Sequence, residues 1–459
     1  MPVKNEQLNF AIIIILLFVA IFIAFLLLRP TSVSSFIPYL IVIAPVIFLI
    51  ALFNTDIALI LLIFSMLLSP EIVMGGVRSR AVVVRFDDIF IFVTFFGWMA
   101  KMAINKELGF AKVTPINKSI VIYVFIYIIA TLIGILAGSI RPLTSIFYMV
   151  KYFEYFLLYI MVVNCLKDRK QIRFFVYSIL LVGLIISMYA FFMHFSGAAR
   201  VTAPFEGTSG EPNTLGGYLL LMMMIAIGVF LNVSSIKLRG ILALGICVAF
   251  PAFLFTLSRG SWFSFIPAYI FLLFLSRKGK FLLLSVSLFL VLQFSIIFPI
   301  YVYNRIEYTF ATQTTRNFFG REITMDESSA ARWDVWKNSI SHWSRSPIIG
   351  HGASSAGSVV DNQYMRVLIE VGIIGLIAFL LLLFAVFKAS LKTLRVMRDE
   401  PFEHGLTVGF IAGFVGLLVH SLGAATFILI RIMEPFWFLA AIVICLPKLR
   451  QERDWDKIT

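Results

Sequence analysis

Long apolar runs, broken by short charged connectors, dominate the chain. They lie near residues 8–28, 36–53, 56–69, 87–104, 119–138, 143–165, 173–193, 212–232, 240–257, 261–275, 280–302, 362–387, 405–423 and 428–446. A run of about 20 apolar residues crosses a bilayer as a helix. An open sheet cannot, because its edge N–H and C=O groups would stay unpaired in lipid. The pattern therefore predicts an all-α polytopic integral membrane protein with about 12–14 transmembrane helices. The third and tenth runs are short, and the lower number counts them as tilted, re-entrant or joined to a neighbour. The first run is followed by Arg29-Pro30 rather than small residues, so it reads as an uncleaved span.

One connector breaks the rhythm. Residues 303–361 are too many for an ordinary loop, and long loops usually carry function. Within them Trp333, Trp336, Ile340 and Trp343 recur at helical spacing on one face. Asp326 or Ser328 can start that helix and Pro347 stops it. Its tryptophans suit a membrane interface, which is compatible with packing against the bundle. Four regions follow: N-terminal helices at 1–195, helices with two polar connectors at 196–302, the large outer segment at 303–361, and C-terminal helices with a tail at 362–459.

Composition supports the membrane reading. Of 459 residues 61% are hydrophobic and only 14% are charged, against roughly 25% charged in soluble domains. Cys165, Cys247 and Cys445 all sit in apolar runs without paired spacing, so neither a disulfide framework nor a cysteine metal site is expected. The five histidines are scattered and form no HExxH pattern. No metal and no cofactor is expected.

The net charge of +14 would suggest nucleic acid in a soluble protein. Here it sorts by side, and no nucleic-acid partner is expected. With the N-terminus in the cytoplasm, alternate connectors hold Lys106, Lys112 and Lys118; Lys167, Arg169 and Lys170; Lys237 and Arg239; Arg277, Lys278 and Lys280; and Lys388, Lys392, Arg395 and Arg398. This is a positive-inside pattern with a cytoplasmic C-terminal tail. The other side should be poor in cations, yet it holds Arg78, Arg80, Arg85, Arg141, Arg200, Arg259, Arg305, Arg316, Arg321, Arg332 and Arg345. Nearly every outer cation is arginine, whose planar fork suits phosphate. An outer arginine cluster beside lipid points to an anionic, lipid-linked ligand such as a diphosphate.

Charges also fall within spans. Lys151 and Glu154 are three apart, as are Arg431 and Glu434. Ionisable residues inside a membrane are functional candidates, and their spacing reads most simply as local neutralising pairs.

Three stretches stand out among the connectors: RVTAPFEGTSGEPNTLGGYL at 200–219, FTLSRGSWFSF at 255–265, and the long stretch from Arg332 to Leu383. The last contains R-x3-W, P-x2-G-x-G, D-N-x-Y and E-x-G-x2-G in order. Together they resemble the O-antigen ligase and O-antigen polymerase superfamily of bacterial envelope glycosyltransferases, across roughly residues 195–390. The resemblance implies an enzyme of the bacterial cytoplasmic (inner) membrane whose active site faces outward. Its donor is a glycan on undecaprenyl diphosphate, and its other partner is a glycan or lipid acceptor. A chain-length regulator is a possible further partner of polymerases.

The resemblance assigns Arg200 and Arg259 to the leaving diphosphate, with Arg332 as a third cation. Ligases usually carry a histidine just before the asparagine of the third stretch. Asp361 stands there instead, which favours a polymerase and makes Asp361 the candidate base; it also falls where a helix N-cap is expected. Glu206, Glu211 and His351 are its rivals. Asn213 lies in the first turn of a helix opened by Pro212, where exposed N–H groups favour an anion. Asn362 and Tyr364 of D-N-x-Y complete the candidate substrate-binding set. Gly207, Gly210, Gly216 and Gly217 read as room for close approach of backbone to ligand. The reaction expected is inverting, metal-independent polymerisation. Transfer to lipid A-core by a ligase is one alternative. A lipid-linked glycan flippase is another, from a different class.

Overall fold

The structure, a computed structural model, describes residues 33–77, 80–107, 112–206, 210–292, 303–305, 307, 314–318, 321–357 and 360–455. The expected span at 8–28, the end of the run at 280–302, Gly207, and the side chains of Arg78, Arg80, Arg316 and Arg321 lie outside what is described. Helices make up nearly all the regular structure among the described residues. They are α1 (Val33–Phe53), α2 (Thr55–Leu68), α3 (Phe86–Ile104), α4 (Asn117–Leu136), α5 (Pro142–Cys165), α6 (Arg169–Phe195) and α7 (Pro212–Asn232). Then come α8 (Ile236–Phe255), α9 (Arg259–Leu275), α10 (Lys280–Leu292), α11 (Glu327–Trp343), α12 (Gln363–Val396), α13 (Pro401–His420) and α14 (Ile430–Trp455).

Among the described residues eight helices are long and apolar enough to cross a membrane: α4 to α8, α12, α13 and the Ile430–Gln451 part of α14. This is the multi-pass, all-α architecture expected. Two of the other expected spans differ for visible reasons. α2 has 14 residues, a rise of about 21 Å at ~1.5 Å per residue, against a hydrocarbon core of ~30 Å. α3 is long enough but carries Asp87, Asp88 and Lys101.

Two antiparallel hairpins were not foreseen. In the first, β1 (Glu71–Val77) pairs with β2 (Arg80–Arg85), Glu71 lying opposite Arg85, with a bulge between Val73 and Gly76. In the second, β3 (Thr314–Phe318) pairs with β4 (Arg321–Met325) and leads directly into α11. Strands of five to seven residues leave too little alternation to read beside long apolar runs.

The most closely packed pair of helices among the described residues is α7 with α13. Gly405, Gly409 and Gly413 recur every fourth residue on α13, and a Cβ on Gly409 would lie 2.6 Å from the Ile225 Cα of α7. Small residues at this spacing let two helix backbones touch, which is how helices associate where lipid removes the hydrophobic drive.

α12 is broken near its start. Gly372 has φ 66° and ψ −167°, a region essentially reserved for glycine. The segment Pro347–Gly352 is inserted at the break. Ile373 and Ile374 donate backbone N–H to Pro347 and Ile348 carbonyls at 3.0 and 3.3 Å, while His351 and Gly352 donate to Ile369 and Glu370 at 2.9 and 2.8 Å. Gly350 (φ 80°) packs so closely that a Cβ there would be 2.6 Å from backbone atoms of Glu370, Val371 and Gly372. The motifs P-x2-G-x-G and E-x-G-x2-G are thus two halves of one backbone clamp.

Replacing Gly372 by Ala forces a Cβ against the Ile348 carbonyl and strains the backbone. The expected cost is about 1–3 kcal/mol from the backbone alone, read as a lower unfolding temperature of detergent-purified Gly372→Ala than of wild type.

Candidate active site

The connectors bearing the candidate residues gather at one end of the bundle. The loop after α6 is tied to the end of α8: Val201 N–H donates to the Phe255 carbonyl at 3.3 Å. Arg200, half-buried, extends the tie, with Nε to the Thr256 carbonyl at 3.2 Å and Nη2 to the Leu257 carbonyl at 3.3 Å. Leu257 has φ 48°, so the turn is held against its own preference. Arg259 follows as the first residue of α9. Its Nη2 donates to Asp326 Oδ1 at 2.8 Å, and Asp326 Oδ2 accepts from Ser329 Oγ at 2.6 Å.

Arg200 lies close enough to Arg305 and Arg259 to feel their positive charge. Burial, then the positive charges of Arg305 and Arg259, lower the Arg200 pKa from its ordinary value, although arginine stays charged at any ordinary pH. Burial pushes the Asp326 carboxyl upward, but its bonds from Arg259 and Ser329 outweigh that and hold it below the usual value.

A buried polar chain runs beneath the arginines. Ser258 caps α9, accepting from Ser261 N–H at 3.3 Å, and its hydroxyl donates to Asn213 Oδ1 of α7 at 2.7 Å. The Ser258 and Ser261 hydroxyls are 2.7 Å apart. Ser261 Oγ reaches His420 Nε2 at 3.1 Å, and His420 Nδ1 reaches Thr426 Oγ1 at 2.8 Å. A Cβ on Gly216 would collide with Ser261, and one on Gly217 would lie 3.1 Å from His420 Cε1. These two glycines therefore make room for side chains of the protein itself, where the sequence suggested room for ligand.

The acidic residues of the first loop have structural partners. Glu206 accepts from Ala203 N–H at 3.3 Å and Glu211 N–H at 3.0 Å, and lies 3.6 Å from Arg431 Nε. Glu211 is exposed and caps α7. In the third stretch the N-cap of α12 is Asn362, not Asp361: Asn362 Oδ1 accepts from Tyr364 and Met365 N–H at 2.9 and 3.0 Å. Asn362 Nδ2 donates to the Leu422 carbonyl at 3.1 Å, and Tyr364 Oη to the Leu418 carbonyl at 2.8 Å. Both thereby join α12 to the end of α13. Asp361 stands exposed just outside the cap. His351 is held at the end of α11, its Nε2 2.9 Å from the His342 carbonyl and the two rings 4.4 Å apart. Arg332 lies half-buried on α11.

Residues 244–380 match the protein-family model described as O-Antigen ligase. A relative from Rickettsia felis, described as "Putative polysaccharide ligase", is 26% identical over 275 residues. That alignment covers 54% of this chain and 64% of the relative, so less than two thirds of the relative's length is matched. These matches make the chain similar to O-antigen ligases over part of its length.

The matched O-antigen ligase region contains Arg259, Asp326, Arg332, His351, Asp361, Asn362 and Tyr364; Arg200, Glu206, Glu211 and Asn213 lie before it. Several polar residues in and around this region were not picked out from sequence. Asp326 was read only as a cap, and Ser261 and His420 not at all. Arg366 and Glu370, each 1% exposed, form a pair at 3.4 Å; Arg366 Nη2 also holds the Gly357 and Val360 carbonyls at 2.7 and 3.1 Å, and Tyr127 Oη donates to Glu370. Lys151 and Arg431 make their ion pairs with distant elements, while Arg85 pairs locally. Lys151 bonds Asp88, Arg85 bonds Asp87, and Arg431 faces Glu206 while donating to the Leu67 and Pro204 carbonyls at 3.0 and 2.9 Å. Asp87, Asp88 and Glu434 bring carboxylate oxygens within 4.8 Å of one another, the one cluster among the described residues with metal-ligand geometry. The visible signal was the presence of ionisable residues in apolar runs.

A depressed carboxylate stabilises its contact above its unfolded pKa and loses it as pH falls through the folded value. The Arg259–Asp326 contact is therefore fully present above the ordinary aspartate value of 3.8 and is lost only in stronger acid. Asp326→Asn is expected to raise hydrogen exchange in the first turn of α11 at neutral pH, where wild type stays protected until well below pH 4.

Proposed function

We propose that this chain transfers a glycan from an undecaprenyl diphosphate donor to an acceptor hydroxyl, on the outer face of the bacterial cytoplasmic membrane. The observation that carries this reading is that Arg200 is tied to the Thr256 and Leu257 carbonyls, directly before Arg259, within electrostatic reach of Arg259 and Arg305. Like charges brought together beside lipid call for a polyanionic ligand, and a lipid diphosphate supplies it. The positive-inside pattern of the opposite connectors puts the arginine end outside, with N- and C-termini in the cytoplasm.

The chemistry is a single displacement. The acceptor oxygen attacks the anomeric carbon, the bond to the diphosphate oxygen breaks, and the diphosphate leaves with the electron pair, inverting the centre. Arg200 and Arg259 stabilise the charge that grows on the leaving oxygen. Their positions support the role: Arg200 is braced on two backbone carbonyls and Arg259 on Asp326, so little reorganisation is needed. Asp361, exposed beside the α12 cap, accepts the acceptor proton. Arg332 is a second-rank phosphate contact; among the described residues it has no ion-pair partner. Asn213 and Asn362 shape the site through the helix starts they hold, and no step needs a metal.

The acceptor in this reading is another lipid-linked repeat unit, which makes the chain a polymerase. Asp361, where ligases usually carry histidine, supports that choice. Transfer to lipid A-core or another acceptor is the second reading, favoured by the family description and by the name of the Rickettsia felis relative.

Reconstituted protein supplied with a single undecaprenyl-diphosphate repeat unit, in the presence of chelator, is expected to build a ladder of longer lipid-linked chains. Product that appears only when a lipid A-core acceptor is added replaces the polymerase by a ligase. Flipping of the lipid without any transfer overturns both. Arg200→Ala and Arg259→Ala should each lower the transfer rate by about 10²–10³ with normal membrane insertion; full activity in both variants removes the proposed site.

A further inference from the structure

Away from the arginines, five carboxylate oxygens are buried without a hydrogen-bond partner: Asp87 Oδ1, Asp88 Oδ1, Glu154 Oε1 and both oxygens of Glu434. Their residues are between 0% and 5% exposed. Asp87 and Asp88 each give Oδ2 to a cation, Arg85 and Lys151, and keep Oδ1 unused. Glu434 arrives from α14 with nothing bonded to either oxygen, and its ligand atom lies within 4.8 Å of those of both aspartates. Glu154 of α5, outside that trio, adds a fourth carboxylate close enough to act electrostatically on Asp88, Asp87 and Glu434.

Charge does not balance within this group. The three cations are Arg85, Lys151 and Arg431. They face five carboxylates: Asp87, Asp88, Glu154, Glu206 and Glu434. Two negative charges remain in a membrane bundle, where uncompensated charge is expensive.

We propose that Asp87, Asp88 and Glu434, with Glu154 at their side, bind one divalent cation of calcium size. Oxygen donors alone select a hard cation. Magnesium keeps several waters and is held by one or two carboxylates, whereas calcium takes about six to eight oxygens in flexible protein cages. A buried set of carboxylate oxygens within 4.8 Å of one another suits calcium, and its two charges cancel the excess. The ion ties the start of α3 to α14. One turn before Glu434, Arg431 holds Pro204 and Glu206 of the loop that follows Arg200. The role is to fix α14 beneath that loop, and it is independent of the reaction proposed above.

The test uses the full-length chain in detergent, stripped with chelator and dialysed against radioactive calcium. About one ion per chain is expected, retained against a tenfold excess of magnesium or sodium at matched ionic strength. The unfolding temperature of wild type should rise with calcium concentration. Glu434→Gln should lose both the bound ion and the calcium-dependent rise, and without calcium it should unfold no earlier than stripped wild type. If that variant does not fold, dialysis of wild type decides alone. No calcium above the protein-free blank, with an unfolding temperature indifferent to calcium, overturns the proposal and leaves the carboxylates neutralised by protons. Equal retention of magnesium overturns the choice of ion.

Discussion

In a lipid-embedded bundle every backbone N–H and C=O needs a partner from the protein, and the break at Gly372 is where this constraint governs the structure. A helix interrupted inside such a bundle would expose unpaired groups if nothing filled the break. Here the Pro347–Gly352 segment supplies the missing donors and acceptors, so the long connector is required to return to the bundle at a set place. The glycines on both sides of the clamp are tight for the same reason: two backbones cannot trade hydrogen bonds if a Cβ stands between them.

That return organises the candidate site. The clamp brings Glu370 to Tyr127 of α4 and sets Arg366 beneath the Gly357 and Val360 carbonyls. Ala353 N–H reaches Thr131 of α4 at 3.1 Å, and Ser354 reaches Ser145 of α5 at 3.2 Å. The connector then enters α12 through Asn362, which is itself fastened to the end of α13. The polar residues of this return complete one another, and Arg200 lies where the charges of Arg305 and Arg259 reach it.

The spans were legible because length and apolarity act locally and need no knowledge of neighbours. The connectors with Arg200 and Arg259 stood out because the charge pattern of the sequence leads one to expect few cations there. What could not be read was pairing at a distance. Asp326 is 67 residues from Arg259, and Glu206 is far from Arg431. Lys151 and Glu154 look like partners at helical spacing, yet Lys151 crosses to Asp88. The same limit applies to Gly216 and Gly217, whose neighbours Ser261 and His420 come from other helices. Asp361 and Asn362 show how fine the margin is: one position separates an exposed carboxylate from a helix cap.

Asp326 has two attachments, one to its own helix and one to a charge on another. It begins α11, and it is also the counter-ion of Arg259. Arg259 gives Asp326 one nitrogen, so an anion can share the guanidinium fork while the carboxylate keeps the start of the 17-residue helix hooked to the arginine. The far end of α11 is anchored separately, through the Trp343 Nε1 bond to the Pro347 carbonyl at 3.0 Å. The helix is therefore a strut held at both ends, one beside the α12 clamp and one at Arg259.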